Sequence, residues 1–309
     1  MSAVAGGAWE SKFSDWTGRA SDAEQKRYEN TRDAIREALQ ASSSLQRYSF
    51  EVYAKGSYPN FTNVVRDSDV DIAAELTEYA ANTFVRGAEG LTVSDLGRTP
   101  YTGGYSLTAF KDDVQAALVA HFGPDAVDRG NKAIHIRESR RSLKADVVPC
   151  VRHRQNYARH RTAHNLGIKL LNDADPYEHI VNYPKQHLDV GVRKNDATQR
   201  RYKKVVRILK RLENEMVDEG LIAEVPSFLI ESAVFNVPNS AFTTPSTWTG
   251  RVRNALAHLF NGTLDDSCYR SDEWLEANGI KYLFHSAQAW TYQDAHCFAS
   301  RAWDYIGFD

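Results

Sequence analysis

The sequence predicts an α+β fold in two lobes, a small sheet with flanking helices followed by a mainly helical lobe. Alternating apolar residues, which indicate half-buried strands, occur in the first half of the chain. Apolar residues at intervals of three and four, which indicate amphipathic helices, dominate after Thr198. The 309 residues are 42% hydrophobic, enough to bury a core in each lobe. We assign residues 1–185 to the sheet lobe, with a long helix near its N-terminus, and residues 186–309 to the helical lobe.

The first predicted element is a helix. Ser21 and Glu24 have the spacing of a capping box, and apolar residues then recur at helical intervals as far as Leu39. Alternating apolar residues next predict a strand over 47–54, followed by a tight turn at Gly56-Ser57. The later patterns predict, in order, a strand over 64–76, a helix over 106–122, strands over 135–137 and 143–151, and helices over 202–218, 226–235, 247–260 and 292–306.

Charge and cysteine content exclude several classes of protein. The formal net charge is −2, so no global positive field would hold a long nucleic acid, and any site for a polyanion must be local. The three cysteines are widely spaced, which fits reduced thiols better than a disulfide framework or a zinc motif. No basic leader precedes an apolar run, and no stretch approaches the roughly 20 apolar residues of a membrane span. We therefore expect a cytoplasmic protein that has no membrane partner.

Three aspartates carry the pattern of a metal site. Asp69 and Asp71 are two residues apart in an apolar strand pattern, so both carboxylates would project from the same face of a strand. Asp146 lies between Ala145 and Val147 in a second apolar strand and could face the first pair across the sheet. Carboxylates this close repel each other when ionised, and a divalent cation compensates that charge. The pattern predicts that all three bind metal and act in catalysis.

A turn suited to phosphate precedes these carboxylates. Gly56 lets the backbone approach a ligand closely, and Ser57 adds a hydroxyl beside exposed amide donors. With two shared metal ions, one would activate an attacking 2′- or 3′-hydroxyl and the other would stabilise the triphosphate and the leaving pyrophosphate. An isolated Asp-x-Asp is usually a surface turn and an isolated Gly-Ser is nearly uninformative, so the prediction depends on their combination. Together they predict in-line nucleotidyl transfer.

A run of nine lysines and arginines between residues 193 and 211 supplies further candidates. Such a run is usually the solvated face of a helix. Arg207 and Lys210, however, are three residues apart and flanked by apolar residues, so both could reach one triphosphate. We predict that these two bind the phosphates of a donor nucleotide.

The motifs resemble those of the polymerase-beta-like nucleotidyltransferases, and the likeness spans nearly the whole chain. Gly56-Ser57, Asp69-Val-Asp71 and Asp146 match the catalytic set of that superfamily. Four later segments resemble its bacterial branch, the cGAS/DncV-like nucleotidyltransferases, which are related to cyclic GMP-AMP synthase and oligoadenylate synthetase. These segments are residues 181–187, 203–210, 225–231 and 279–284.

This resemblance implies a polymerase-beta-like core, a helical lobe like that of oligoadenylate synthetase, and an active site between the lobes. It also implies dependence on Mg²⁺, with Mn²⁺ as an alternative, and a cyclic di- or trinucleotide product made from nucleoside triphosphates. Bacterial members commonly serve anti-phage signalling, in which the product switches on an effector protein. The expected partners are therefore nucleoside triphosphates and such an effector, and no long nucleic acid is required.

The resemblance also assigns nucleotide-binding roles to later residues. Ser227 would either cap the start of the helix or turn its hydroxyl toward phosphate. Phe228, which replaces the family's common tyrosine, would stack on a nucleobase. For Phe228, a place in the helical core is an equally good interpretation. Asn182 should lie near the pocket, where its amide could pair with the donor and acceptor edge of uracil. The alternative for Asn182 is a turn-closing role before Tyr183-Pro184.

Two other functions remain open. The chain could transfer a nucleotide to a tRNA, a small molecule or a protein, and a requirement for such an acceptor would distinguish this case. It could instead be an inactive nucleotide sensor, although the complete set of catalytic residues argues against loss of activity. His153, His160 and His164 could suggest zinc, but no nearby cysteines accompany them, so we expect surface or hydrogen-bonding roles.

Overall fold

A computed structural model describes residues 2–19, 21–64, 69–175, 177–264 and 273–308. Within these residues the chain forms two compact units. The sheet unit comprises residues 21–59 and 69–185, and the helical unit comprises residues 2–19, 60–64 and the described part of 186–308. The division changes at residue 186, as in the predicted lobes, but residues 2–19 and 60–64 belong to the helical unit. None of the described helices combines the length and apolar character needed to cross a bilayer.

The sheet unit contains a seven-stranded mixed sheet with the order β1-β2-β5-β4-β3, and β6 joins β5 to β7. Strands β2 and β5 are parallel, whereas all other pairs are antiparallel. The strands are β1 (Phe50–Ala54), β2 (Val70–Phe84), β3 (Val127–Arg129), β4 (Ile134–Ile136), β5 (Ala145–Asn156), β6 (His164–Leu170) and β7 (Ile180–Asn182). The α+β prediction is confirmed.

Helices α2 (Asp22–Gln40) and α4 (Leu107–Phe122) belong to the same apolar core as one face of the sheet. The hydroxyl of Ser21 accepts the Glu24 N–H at 3.2 Å, which confirms the predicted helix start. The Glu24 carboxylate accepts a hydrogen bond from the Tyr58 hydroxyl at 3.1 Å. The short helix α3 (Ser57–Asn60), which follows β1, is thereby tied to the first turn of α2.

Several strands differ from their predicted bounds. Part of the predicted strand over 64–76, residues 65–68, lies outside the described residues, and β2 runs eight residues beyond position 76, to Phe84. β5 likewise continues past 151 to Asn156, because its polar second half pairs with β6. The alternating apolar pattern ends before these extensions, so periodicity could not detect them. Strands β3, β6 and β7 were not predicted, since each is short or mixed in polarity.

The helical unit contains α1 and α5 to α10. The helices are α1 (Ser2–Trp16), α5 (Pro184–Ala197), α6 (Tyr202–Asp218), α7 (Ser227–Asn236), α8 (Asn239–Thr243), α9 (Trp248–Gly262) and α10 (Tyr292–Ile306). The prediction is confirmed for α6 and α10 and is within two residues for α7 and α9. Helix α1 was missed, although Trp9, Phe13 and Trp16 have helical spacing and pack in the core of this unit.

Helix α1 also stabilises the start of another helix. The carboxylate of Glu10 accepts the backbone N–H groups of Trp248 and Thr249 at 2.8 and 2.7 Å. N–H groups in the first turn of a helix have no acceptor within the helix, so Glu10 supplies one for α9. Its negative charge also interacts favourably with the positive end of the helix dipole. Although burial alone would raise it, these hydrogen bonds lower the pKa of Glu10. The N-terminal helix is therefore an integral part of the helical unit.

A buried ion cluster joins four segments of the helical unit. The carboxylate of Glu231 accepts hydrogen bonds from Thr62 at 2.7 Å, from His187 Nε2 at 2.8 Å and from Lys210 Nζ at 3.2 Å. All four side chains are buried. Burial alone would raise the pKa of Glu231, but the charge of Lys210 and the contacts with His187 and Thr62 hold it well below its ordinary value of 4.5. The cluster therefore requires an ionised carboxylate.

We predict that Glu231→Gln destabilises the helical unit by about 3 to 5 kcal/mol at pH 7, because Lys210 loses its buried counterion. The lowered pKa means that the contribution is fully present above pH 4.5 and is lost as the pH falls below it. All six tryptophans lie in this unit, at positions 9, 16, 248, 274, 290 and 303. Urea unfolding followed by tryptophan fluorescence therefore measures the helical unit alone.

The matched control is Glu224→Gln, which changes an exposed glutamate of the same unit and should leave the urea midpoint unchanged. The cluster would be shown unimportant if Glu231→Gln unfolded at the wild-type midpoint at pH 7. The difference between wild type and Glu231→Gln should also shrink between pH 4.5 and pH 3.

Candidate active site

Two of the predicted metal ligands lie side by side in the sheet. Asp71 in β2 and Asp146 in β5 are direct partners in the parallel register. Their strand neighbours, among them Ile72 and Val147, are buried in the core with α2 and α4. Because side chains alternate along a strand, both carboxylates project from the opposite face of the sheet. The prediction that Asp146 faces the first pair across the sheet is confirmed for Asp71.

Asp69 lies one residue before β2, rather than within a strand as predicted. The neighbouring Val70 N–H donates to the Lys144 carbonyl at 2.9 Å, so the backbone is already held beside β5 at this point. Asp69 therefore precedes Asp71 by one period of the strand. The three carboxylates come from the same ends of the two parallel strands.

Each carboxylate is paired with a basic side chain of the sheet unit. Lys55 Nζ donates to Asp71 Oδ1 at 2.9 Å, and Lys144 Nζ donates to Asp69 Oδ2 at 2.5 Å. His135 Nδ1 lies 2.6 Å from Asp146 Oδ1. The contact with Asp69 raises the pKa of Lys144. These pairs offset the repulsion among the acids, and among the described residues no three acidic, histidine or cysteine side chains are gathered around one point.

The predicted phosphate turn contacts the same carboxylates. Gly56 has a φ of 75°, in the left-handed region that favours glycine. A Cβ at this position would lie 2.4 Å from Asp71 Oδ2. The backbone N–H of Lys55 also donates to the Asp71 carbonyl at 2.9 Å. The turn that carries Gly56 and Ser57 is therefore fixed against the strand that carries Asp71.

Asn182 lies on the carboxylate face of the sheet. Along β5, Asp146 and Arg152 are an even number of residues apart and so point to the same face. Ile168 in β6 is the register partner of both Arg152 in β5 and Asn182 in β7. Partners across neighbouring strands share a face. The amide of Asn182 therefore projects from the side of the sheet that presents Asp71 and Asp146. Asn182 is also the last residue of β7, two residues before α5 begins, so the base-reading role and the turn-closing role both stay predictions.

In the helical unit, Arg207 and Lys210 are more buried than the sequence predicts. Arg207 is 3% exposed, and its guanidinium donates to the carbonyls of Thr17 and Phe61. Burial lowers its pKa to about 10. Lys210 is 2% exposed and donates to Glu231. These contacts give both residues a role in the fold, and their contact with a triphosphate stays a prediction.

Ser227 and Phe228 lie where α7 begins, directly after Pro226. The Phe228 ring is half-buried and packs edge-on against His187, with ring centroids 5.6 Å apart, and against Trp290 at 6.1 Å. The ring therefore has aromatic neighbours within the helical unit and keeps part of its surface exposed. Its predicted stacking on a nucleobase stays a prediction, as does the contact of Ser227 with phosphate.

The three histidines considered for zinc make hydrogen bonds within the sheet unit. His153 is buried, with Nε2 3.2 Å from the Thr83 hydroxyl, and burial lowers its pKa to about 4. His160 Nδ1 lies 2.9 Å from the Thr162 hydroxyl, and His164 Nδ1 accepts from Arg98 at 3.0 Å. Each ring has a structural contact of its own.

Sequence reasoning missed the three basic partners of the carboxylates. Lys55 and Lys144 each flank a motif that was recognised, Gly56-Ser57 in one case and Asp146 in the other. His135 lies between two isoleucines in a strand pattern, which places a polar ring on one face of a short strand. A polar residue between apolar neighbours could have identified His135, but its partner depends on the pairing of β4 with β5.

Comparison with known proteins identifies the family of the chain. Residues 189–307 match the family model of the cGAS/DncV-like nucleotidyltransferase C-terminal helical domain. The cyclic dipyrimidine nucleotide synthase CdnE of Cecembia lonarensis is 34% identical over 303 residues, covering 97% of this chain and 98% of the relative. The enzyme of the same name from Legionella pneumophila is 35% identical, covering 96% and 98%.

Among solved structures, the Rhodothermus marinus CdnE c-UMP-AMP synthase with Apcpp and Upnpp superposes with a TM-score of 0.81. It is 26% identical, and the alignment covers 97% of each chain. The mixed sheet and the helical unit thus have the architecture of a polymerase-beta-like core with a helical C-terminal domain. The chain belongs to the cGAS/DncV-like nucleotidyltransferases, and it is an enzyme of their cyclic oligonucleotide synthase class.

We predict that Gly56→Ala lowers synthesis about 100-fold, because the new methyl group displaces the Asp71 carboxylate from its place beside Asp146. The control is Gly90→Ala. Gly90 has a similar φ of 73° but no atom within 4 Å of an added Cβ, so it reproduces the backbone strain alone. Product formation and thermal unfolding of both variants are measured, and equal activities in the two would contradict the prediction.

Proposed function

We propose that this enzyme joins two nucleoside triphosphates into a cyclic dinucleotide that contains at least one pyrimidine, in a reaction that requires Mg²⁺. The observation that carries the proposal is the parallel register of β2 and β5, which sets Asp71 directly beside Asp146. Asp69 and the turn at Gly56 lie at the same end of these strands. A pair of adjacent carboxylates next to a close-approach glycine suits phosphoryl chemistry on a metal-bound triphosphate.

The residues present fit a divalent cation. Asp69, Asp71 and Asp146 supply only oxygen donors, as Mg²⁺ prefers, and the space beside Asp71 is one that a side chain at position 56 would fill. Lys55 and Lys144 are now paired with Asp71 and Asp69. A divalent cation would displace these ammonium groups from the two carboxylates. When bound, Mg²⁺ polarises the reacting phosphate and lowers the pKa of the attacking hydroxyl.

The chain's own groups then have distinct roles. Asp71 and Asp69 would hold the cation, and the backbone at Gly56 and Ser57 binds the outer phosphate oxygens of the triphosphate. Asp146 faces the attacking hydroxyl and accepts its proton as the new phosphodiester bond forms and pyrophosphate leaves. A second transfer of the same kind closes the ring. In the helical unit, Ser227 is proposed to contact phosphate and Phe228 to stack on a base, while Arg207 and Lys210 would need to exchange their present partners to bind phosphate.

The choice of base is proposed to depend on Asn182. Its amide offers one acceptor and two donors, which can pair with both the N3–H and the O4 of uracil. Asn182 projects from the carboxylate face, and two relatives 34 and 35% identical to the chain are cyclic dipyrimidine synthases. We also propose a role in anti-phage signalling, in which the product activates an effector protein; a product that activates no effector encoded beside the gene would count against this role.

We predict that Asp71→Asn abolishes synthesis and that Asp146→Asn lowers it about 100-fold or more, since the first loses a metal ligand and the second the proton acceptor. Pyrophosphate release with Mg²⁺ and all four triphosphates measures this. Asp125→Asn, an exposed position in the same unit, should retain wild-type activity. Near-normal turnover of Asp71→Asn would refute the metal assignment, and a requirement for an added RNA or protein acceptor would refute cyclisation.

We predict that Asn182→Ser loses uridine incorporation in favour of purines, because a hydroxyl cannot pair with both the N3–H and the O4 of uracil. Mass spectrometry of the phosphatase-resistant product from an equimolar mixture of triphosphates gives the base composition. Asn165→Ser in β6 is the control, since Asn165 bonds to Gln155. An unchanged composition in Asn182→Ser would limit Asn182 to a structural role.

A further inference from the structure

We infer that His135 is a positioning residue for Asp146, and that Gly130 supplies the space that the imidazole occupies. The inference rests on the proposed role of Asp146 in the proposed reaction. It concerns two residues outside the motifs, one on β4 and one in the turn that leads to it. Neither residue would itself touch a nucleotide.

The first observation is the register of β4 against β5. His135 is the direct antiparallel partner of Asp146, and its Nδ1 lies 2.6 Å from Asp146 Oδ1. A carboxylate can only accept, so the Nδ1–H of the imidazole must donate. A hydrogen bond to a charged acceptor at this length is among the stronger ones in proteins. It fixes one oxygen of Asp146 and thereby the orientation of the other.

The second observation is independent of the hydrogen bond. A Cβ added to Gly130 would lie 2.4 Å from Nε2 of His135 and 3.1 Å from its Cδ2. The imidazole therefore lies between Asp146 and the backbone of Gly130, although 43% of the His135 side chain is exposed. The Gly130 N–H donates to the Ala133 carbonyl at 2.8 Å, which closes the turn between β3 and β4 and holds this backbone in place.

The surroundings show why Asp146 needs such a partner. Lys144 is two residues away on the same chain, donates to Asp69, and is attracted by Asp146 as well. Asp128 is the register partner of His135 on β3. Its Oδ2 accepts a hydrogen bond from the Arg137 guanidinium at 3.0 Å, so Asp128 does not compete with Asp146 for the imidazole. Without His135, the Asp146 carboxylate could rotate toward the ammonium group of Lys144. Its free oxygen would then no longer face the position beside Asp71.

The test compares three variants of the whole protein. His135→Leu removes the donor, and His135→Asn places an amide N–H close to the position of Nδ1. Gly130→Ala leaves His135 unchanged, but its new methyl group takes the space of Nε2 and displaces the ring from the position in which Nδ1 donates to Asp146. We expect His135→Leu and Gly130→Ala to lower kcat about 10- to 100-fold with little change in KM, and to weaken Mn²⁺ binding by a similar factor. His135→Asn should recover most of both.

Mn²⁺ affinity is measured by electron paramagnetic resonance without nucleotide, so this readout does not depend on turnover. The double variant Gly130→Ala/His135→Leu should be no worse than His135→Leu, because both changes act through one hydrogen bond. His121→Leu and Gly104→Ala are controls on the same unit and should match the wild type; an added Cβ at Gly104 meets no atom within 4 Å.

The outcomes separate the inference from the proposed function. Wild-type protein that makes no cyclic product from the four triphosphates would refute the proposed function, while a loss of Mn²⁺ affinity in His135→Leu would still support the positioning role. If His135→Leu matches the wild type in kcat and in Mn²⁺ affinity, the inference is overturned. Equal losses in His135→Leu and His135→Asn would also overturn it, because the donor would then be irrelevant.

Discussion

The parallel pairing of β2 with β5 is the constraint on which the site depends. Side chains alternate along a strand, so a shift of one residue in this register would turn Asp146 away from Asp71 and into the core. Burial of the neighbouring residues Ile72 and Val147 at 0% exposure stabilises the register strongly. The apolar core beneath the sheet therefore determines which carboxylates meet above it.

The two units differ in how deeply their ion pairs are buried. In the sheet unit, Lys55 and Lys144 are paired with partly exposed carboxylates, and such pairs are weak enough to exchange for another cation. In the helical unit, Glu231 is buried with Lys210 and His187, where breaking the cluster leaves an uncompensated charge. Three of the segments that resemble the bacterial family each contribute one residue to this cluster. Their likeness therefore reflects the stability of the helical unit at least in part.

The sequence allowed the elements with strong periodicity, and the motifs beside them, to be predicted. Helices α6 and α10, the Ser21 cap and the strand positions of Asp71 and Asp146 all followed from local pattern. The partners of polar groups could not be predicted in this way, because they depend on contacts between distant segments. Arg207 is the clearest case: its guanidinium binds the carbonyl of Thr17, 190 residues away in sequence. No local pattern distinguishes such an arginine from one that binds phosphate.

The contact between Glu10 and the start of α9 has a consequence for synthesis of the chain on the ribosome. The two ends of this contact are 238 residues apart, so helix α1 emerges first and completes its packing late. At 5 to 20 residues per second, the interval is about 10 to 50 s. Throughout it, Trp9, Phe13 and Trp16 lack the core of the helical unit, whereas all segments of the sheet unit are synthesised before α9 begins. The apolar side chains of α1 therefore wait for their native neighbours until most of the described chain has been synthesised.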